Sequence, residues 1–345
     1  MVVWGLLFTR GHAANVAASS DTAMQSKRKI ICQLIDDVKF ESAWWNRLRG
    51  WTVYREIGIT EGVFPLAIQF QYFPTMTDYK LHTYATAWSL REYPSKEAEW
   101  SWDRKFDAIR EAGFTGIMSP PREELSGGGN LDYWAMGSLG VGDDYAAYFE
   151  AVKALGATHA TIQPCDVDTP LGDAVDAIIG IVAAAKKADV PVTIECHRDT
   201  FTETPEKMWA LYDGFRAKTG ELMPVCFDHS HFVVVRHYAA PYWDKLNERP
   251  DVLKDCPRFH MRPCNGHHCQ IPATFDGEKR TPEYELWSDY AKSLMQFIKV
   301  EGTVTDIHMV PELGNAAPAY GLSCFPDVWE DAKIIGADLR RWWDE

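Results

Sequence analysis

Four strand-like segments in the second half of the chain carry an acidic or histidine side chain close to their C-terminal ends. These side chains are Glu195, Asp228, His260 and Glu312. A buried carboxylate is costly unless it is paired or bound to a metal, so these charged groups indicate a shared site. Three carboxylates and one imidazole suit a divalent ion of hard to borderline character. The sequence therefore predicts one divalent ion, with Mn²⁺ as the first candidate and Mg²⁺, Co²⁺ or Zn²⁺ as alternatives. A buried network of ion pairs is the competing interpretation.

The spacing of these residues matches the repeat of a (β/α)₈ barrel. Glu195, Asp228 and His260 follow one another at intervals of 33 and 32 residues, and Glu312 lies 52 residues further on. A barrel of about 250 residues has roughly 31 residues in each β/α unit, and its chemistry lies at the C-terminal ends of several strands. The first two intervals therefore fit one unit each, and the third fits one unit with an insertion.

Strand and helix signals alternate from residue 79 to the C-terminus. Besides the four strands above, we place strands at Lys80–Trp88, Thr115–Ser119, near Met136–Gly140 and at Thr158–Gln163. Start and stop signals from Pro, Asp, Thr and Gly predict helices at about Trp102–Ala112, Asp143–Leu155, Leu171–Ala188, Pro205–Lys218, Pro282–Lys299 and Pro326–Trp343. This alternation predicts a parallel sheet closed into a (β/α)₈ TIM barrel. We interpret the Gly-rich stretch from Pro120 to Asn130 as a connection rather than a lid.

The barrel pattern covers only part of the chain. Residues 76–345 are predicted to form the TIM barrel catalytic domain. Residues 1–75 are predicted to be an N-terminal extension, partly disordered, to which we assign no role. The stretch Ile30–Phe73 contains apolar residues without a clean period.

Composition argues against several classes of protein. A formal charge of −14 opposes binding to a nucleic-acid backbone, which requires Lys and Arg to neutralise phosphates. No apolar stretch reaches the roughly 18 residues needed to span a bilayer, and the short run Val2–Phe8 is a poor signal sequence. The eight cysteines contain no CxxC pair and indicate a reduced, cytoplasmic protein. The run Cys264–Cys269 lacks the second half of a zinc knuckle.

In order and on consecutive strands, these segments resemble the xylose isomerase-like TIM barrel superfamily, often labelled sugar phosphate isomerase/epimerase. The resemblance covers about Lys80 to Trp343. It rests on Glu195-Cys-His197, Asp228-His-Ser-His231, His260-Met-Arg262 and Pro311-Glu-Leu-Gly314. It implies that the four candidate residues bind one divalent ion, and that Glu195 and Glu312 are the acid/base pair.

The resemblance implies an isomerase or epimerase that acts on a keto-sugar or related polyol through an enediolate. His197, His231, Arg262 and Gln270 are then predicted to bind the substrate. Each has a competing role: a salt bridge to a ligand carboxylate for Arg262, support of a ligand for His197 and His231, and plain solvation for Gln270. Tyr84 and Trp88 could stack on a sugar or pack within the barrel.

Two departures from the superfamily leave the reaction open. Many sugar-epimerising members carry Glu at the end of strand 2, where this chain has Met118-Ser119-Pro120. The segment Arg262–Pro272 is also longer and richer in His than the resemblance leads us to expect. The first alternative is a lyase on the same scaffold, such as an inosose dehydratase or a C-glycoside-cleaving enzyme.

Two further alternatives are an abasic-site endonuclease and a non-catalytic sugar-binding subunit. The acidic charge and the absence of metal ligands on strand 2 oppose the endonuclease. The predicted partners are a small sugar or polyol, with no nucleic acid and no membrane. The sequence is compatible with a homo-oligomer.

Overall fold

The computed structural model describes residues 79–315 and 320–345. The predicted extension, residues 1–75, lies outside the described residues. Eight parallel strands form a closed barrel in sequence order, so the predicted (β/α)₈ barrel is confirmed. The strands are β1 (Lys80–Thr86), β2 (Gly116–Ser119), β3 (Asp132–Leu139), β4 (Ala157–Pro164), β5 (Val192–Glu195), β6 (Val225–Asp228), β7 (Arg258–His260) and β8 (Asp306–Val310).

Helices surround the barrel and return the chain from one strand to the next. They are α1 (Trp102–Glu111), α2 (Tyr145–Ala154), α3 (Leu171–Lys187), α4 (Pro205–Thr219), α5 (His229–Val235), α6 (Trp243–Leu246), α7 (Pro250–Leu253), α8 (Pro282–Glu301) and α9 (Val328–Asp344). The predicted start signals have a physical basis, because the side chains of Ser101, Asp144, Thr204, Thr281 and Asp327 each cap a helix N-terminus. Within the described residues, none of these helices is long and apolar enough to cross a membrane.

The strand register places the candidate residues at one end of the barrel. Asp228 pairs with His260 across β6 and β7, while Glu195 pairs with Cys226 across β5 and β6. Alternate residues of a strand point to the same face. Below this end, the barrel interior is filled by a separate cluster of buried side chains, which are those of Tyr84, Met118, Trp134, Cys226 and Val310.

Three predicted boundaries were wrong. β3 begins at Asp132 rather than near Met136, because it pairs along its length with both β2 and β4. β1 ends at Thr86, whose side chain accepts a hydrogen bond from the Ser89 N–H and starts a 3₁₀-helix over Ala87–Leu90. β8 ends at Val310, so Glu312 lies two residues beyond the strand.

Two connections also differ from the expected pattern. α5 follows β6 directly and was not predicted, because its run Phe232-Val-Val-Val235 has the composition of a strand. Asp228 caps this helix and tertiary burial overrides the propensity. Between β2 and β3 the structure has a 3₁₀-helix, Glu123–Gly127, in place of a longer helix.

Candidate active site

The four predicted ligand side chains converge at the C-terminal end of the barrel. One ligand atom from each of Glu195, Asp228, His260 and Glu312 lies within 4.8 Å of those from the other three. His260 Nδ1 is at the centre, 3.1 Å from Glu195 Oε1, 2.9 Å from Glu312 Oε2 and 3.8 Å from Asp228 Oδ2. All four residues are buried. The separate strand ends noted in the sequence therefore form a single cluster.

The cluster fits a divalent cation because its negative charge is incompletely compensated. Glu195 is fully buried, and within the described residues neither of its carboxylate oxygens accepts a hydrogen bond. Burial by itself would lower the pKa of His260, yet Cys226, Glu195 and Glu312 raise that pKa well above its usual range. The carboxylates thus strongly favour positive charge at this position. A cation bound by the four side chains would supply this charge.

Arg262 compensates two of the three carboxylates. Its buried guanidinium donates through Nη2 to Asp228 Oδ2 at 3.0 Å and to Glu312 Oε2 at 2.5 Å. Burial opposes ionisation of Glu312, but Arg262 and His260 outweigh it and lower the pKa of this carboxyl to about 2. Arg262 also lowers the pKa of Asp228 against the effect of burial. Both carboxylates are therefore ionised at neutral pH, whereas Glu195 has no guanidinium partner among the described residues.

Asp228 is held in place by the start of α5. Its Oδ1 accepts hydrogen bonds from the Ser230 backbone N–H at 2.9 Å and from the Ser230 hydroxyl at 2.6 Å. These bonds leave Oδ2 directed at Arg262 and His260. The unexpected helix thus fixes the rotamer of a predicted metal ligand.

His197 and His231 lie beside the cluster. His231 Nε2 is 3.3 Å from Asp228 Oδ2, and the His231 ring is 4.5 Å from that of His197. His197 Nδ1 lies 2.6 Å from the Arg198 carbonyl oxygen and must donate to it. Burial lowers the pKa of His197, so this histidine is neutral and its Nε2 is a free acceptor. Ligand atoms of Glu195, His197 and His231 also approach one another within 4.8 Å.

Gln270 holds the loop that carries Glu312. Its amide Nε2 donates to the Gly314 carbonyl at 3.0 Å, and its Oε1 accepts from the Gly314 N–H at 2.8 Å. Both polar groups of the side chain are therefore used within the protein. Its predicted substrate contact stays a prediction, whereas its contact with Gly314 is a direct structural role that the sequence analysis missed.

The aromatic residues of the first strand divide between two positions. Tyr84 is fully buried, and its hydroxyl lies 2.9 Å from His308 Nδ1 and 3.3 Å from Asp132 Oδ2. These partners place it within the barrel packing, so stacking of Tyr84 on a sugar is excluded by its burial. Trp88 is partly buried and packs on the same interior cluster.

Tyr320 is a further residue of the site, and no local sequence signal identifies it. The Arg262 guanidinium lies 4.2 Å from the centre of its ring, and the Arg198 guanidinium lies 4.8 Å from it. Arg198 Nε also donates to the Tyr320 hydroxyl at 2.7 Å. The tyrosine is far from both arginines in sequence, and no periodicity or motif marks it. His267 and His268 are exposed instead, and no candidate metal group among the described residues includes them.

No known protein-family profile matches the sequence, and no curated protein matches it either. Solved structures do match the fold. An L-ribulose 3-epimerase aligns with 76% of this chain and 96% of its own at 11% identity, with a TM-score of 0.50. The 3-keto-D-glucoside 4-epimerase YcjR from E. coli aligns with 76% of this chain and 99% of its own at 13% identity, with a TM-score of 0.47.

The probable 3-DHS dehydratase AsbF from Bacillus anthracis is a third match, with 75% of this chain and 97% of its own aligned, 13% identity and a TM-score of 0.47. The chain therefore shares the (β/α)₈ barrel fold of these solved structures. At this level of identity the likeness establishes the fold alone, because one fold supports many chemistries. The reaction must therefore be argued from the residues at the strand ends.

Proposed function

We propose that the protein is a divalent-metal-dependent isomerase or epimerase that acts on a keto-sugar or related polyol through an enediolate. The observation that carries this proposal is the buried cluster of three carboxylates around His260, in which no described residue donates a hydrogen bond to the Glu195 carboxylate. A bound divalent ion would polarise a substrate carbonyl and acidify the adjacent C–H bond. The protein must then supply a base and an acid.

Glu195 and Glu312 are the proposed acid/base pair. A carboxylate oxygen of Glu195 lies 3.1 Å from His260 Nδ1 and one of Glu312 lies 2.9 Å from it, so both carboxylates belong to the ligand cluster. Arg262 keeps Glu312 in the ionised form that a general base requires. Return of the proton to the opposite face of the same carbon gives an epimer, and return to the neighbouring carbon gives an isomer.

The neighbouring polar groups are proposed to bind the substrate. The free Nε2 of His197 can accept a hydrogen bond from a sugar hydroxyl, because Nδ1 is committed to the Arg198 carbonyl. His231 lies beside it and can contact a second hydroxyl. Arg262 is proposed to stabilise the negative charge that develops on the substrate oxygen. Its hydrogen bonds to Asp228 and Glu312 already fix the position of its guanidinium.

A lyase on the same scaffold is the second candidate, and the end of β2 favours it. β2 ends at Ser119, which is buried and whose hydroxyl donates to the Pro120 carbonyl at 2.8 Å. This strand end therefore provides no carboxylate to the substrate. The same enediolate can then lose a leaving group from the β carbon instead of being reprotonated.

Deuterium exchange tests the proposal. The protein loaded with Mn²⁺ is incubated in heavy water with a panel of keto-sugars and inososes, and the products are analysed by NMR and mass spectrometry. Deuterium in an isomeric sugar supports the isomerase or epimerase, whereas loss of water or an aglycone supports the lyase. Protein treated with a chelator is the control. If no substrate exchanges while Mn²⁺ binding is verified, the enediolate mechanism is excluded, and binding of metal and sugar without turnover would favour a binding subunit.

The remaining predictions concern the partner molecule, the cellular location, the number of subunits and the resident metal. A small-molecule sugar or polyol is the proposed partner. The cytoplasmic location, the homo-oligomer and Mn²⁺ as the resident metal stay predictions. Native mass spectrometry of the purified protein measures both the subunit number and the bound metal.

A further inference from the structure

Cys269 lies next to the candidate active site and has no part in the proposed chemistry. Its sulfur lies near three polar atoms from two segments of the site, which are the start of α5 and Arg262 after β7. Arg262 Nη1 lies 3.5 Å from the sulfur, the Ser230 hydroxyl lies 3.3 Å from it, and His231 Nδ1 lies 3.7 Å from it. His231 in turn contacts Asp228 through Nε2 at 3.3 Å, so sulfur, imidazole and carboxylate are arranged in series.

These neighbours favour the thiolate form. Burial would raise the pKa of Cys269, but Arg262 and His231 outweigh it and the pKa is lowered. The opposite holds at the fully buried cysteines Cys196, Cys226, Cys256 and Cys264, where burial raises the pKa. Cys269 is also partly exposed, whereas those four are buried. Accessibility and a cationic environment thus coincide at this cysteine.

We propose that Cys269 is a covalent modification site for hydroperoxides and soft electrophiles. In the oxidation, the thiolate sulfur attacks one oxygen of the hydroperoxide and a sulfur–oxygen bond forms as the oxygen–oxygen bond breaks. The sulfur is oxidised by two electrons to a sulfenic acid, the peroxide is reduced, and the leaving hydroxide or alkoxide takes up a proton. Arg262, His231 and Ser230 are donors or acceptors within reach of the added oxygen.

Modification of Cys269 would affect the candidate active site because Arg262 contacts both. The same guanidinium contacts Cys269 through Nη1 and holds Asp228 and Glu312 through Nη2. A sulfenate oxygen on Cys269 competes for this guanidinium, and a larger adduct displaces it. We therefore expect oxidation or alkylation at this one residue to lower turnover. The chemical reactivity itself does not depend on which substrate the site accepts.

Alkylation kinetics provide the test. The full chain is treated with iodoacetamide at pH 7, with Mn²⁺ and again with a chelator, and modification is followed peptide by peptide by mass spectrometry. The exposed Cys324 is an internal reference. We expect Cys269 to react about tenfold faster than Cys324, because the thiolate is the nucleophile. A Cys269 rate equal to or below that of Cys324 overturns the proposal.

A second experiment tests the oxidation. Protein treated with hydrogen peroxide is trapped with dimedone, and the trapped residue is identified by mass spectrometry. We expect the adduct at Cys269 and its loss when dithiothreitol is added before dimedone. The variant Cys269→Ser should give no adduct at this position, while Cys324→Ser should leave the adduct unchanged. Adducts at Cys324 alone, or at no described cysteine, would refute the assignment whether or not the sugar chemistry is correct.

Discussion

Charge balance at the level of single residues explains why the candidate site needs a cation. Arg262 neutralises part of the charge of Asp228 and Glu312, whereas Glu195 receives no hydrogen bond from the described residues. The three carboxylates and His260 are buried, so solvent screens their charges poorly. The missing compensation is therefore concentrated at Glu195.

Replacing Glu195 should affect the metal-free and metal-loaded proteins in opposite ways. Glu195→Gln removes a buried, uncompensated charge, so we expect the metal-free variant to be at least as stable as the wild type. The rise in Tm on addition of Mn²⁺ should be lost, and turnover should fall by about 10²–10⁴-fold. Calorimetric titration with Mn²⁺ and thermal melts with and without metal measure these effects.

The matched control for this variant is Glu301→Gln, at an exposed position at the end of α8. It should keep the metal-dependent shift in Tm. A Glu195→Gln protein that still shows the full Mn²⁺ shift would exclude Glu195 from the metal site.

At the scale of strands, helices and loops, the sequence predicted the barrel and the ends of β5, β6 and β7 because both depend on local pattern, whereas the predicted ends of β1 and β8 were wrong. The spacing of Glu195, Asp228 and His260 follows from one strand and one returning helix per unit. The contacts of Arg262 with Asp228 and Glu312, and of Tyr320 with two arginines, depend on the paths of distant loops. No local sequence pattern encodes these contacts. The helix α5 was not predicted because its valines favour a strand.

The loop after β8 should depend on Gln270 for its position. Gln270→Ala leaves the N–H and carbonyl of Gly314 without their side-chain partner, so we expect the free energy of unfolding to fall by about 1–3 kcal/mol. Because Gly314 is two residues from Glu312, kcat should fall more than KM rises. Urea unfolding and steady-state kinetics measure the two effects. Gln296→Ala on the exposed face of α8 is the control and should change neither quantity.

β1, β2 and β3 pack so closely at Gly116 that we expect a methyl group added at this position to destabilise the fold. A Cβ at Gly116 would lie 2.4 Å from the Asp132 carbonyl oxygen and 2.4 Å from the Tyr84 ring. We expect Gly116→Ala to lower the free energy of unfolding by about 1–3 kcal/mol. Gly172→Ala in α3 is the matched control, since nothing lies within 4 Å of its added Cβ. It should be neutral or stabilising by up to about 1 kcal/mol in chemical denaturation, and equal effects of the two variants would contradict the packing argument.

For the molecule as a whole, the barrel interior has two polar layers with different charge. The end with the candidate site carries carboxylates and attracts positive charge, as the raised pKa of His260 indicates. The opposite layer contains Arg258, and there burial and Arg258 lower the pKa of His159 and of His308. The barrel interior therefore favours a protonated histidine or another cation in the layer with the carboxylates, and neutral histidines in the layer that already holds Arg258.

This difference predicts that the protein is destabilised by mild acid. Burial, followed by Arg258 and His82, lowers the pKa of folded His308 to about 3, whereas an unfolded histidine titrates near 6.5. Between these values the unfolded chain binds more protons, so the free energy of unfolding falls as pH falls, by up to about 1.4 kcal/mol per pH unit for this one group. His308→Gln removes the group and should flatten the decline between pH 6.5 and 4 in urea unfolding. His267→Gln, at an exposed position, should leave the decline as in the wild type. A slope that is unchanged in His308→Gln would show that burial and Arg258 do not keep His308 neutral in the folded barrel.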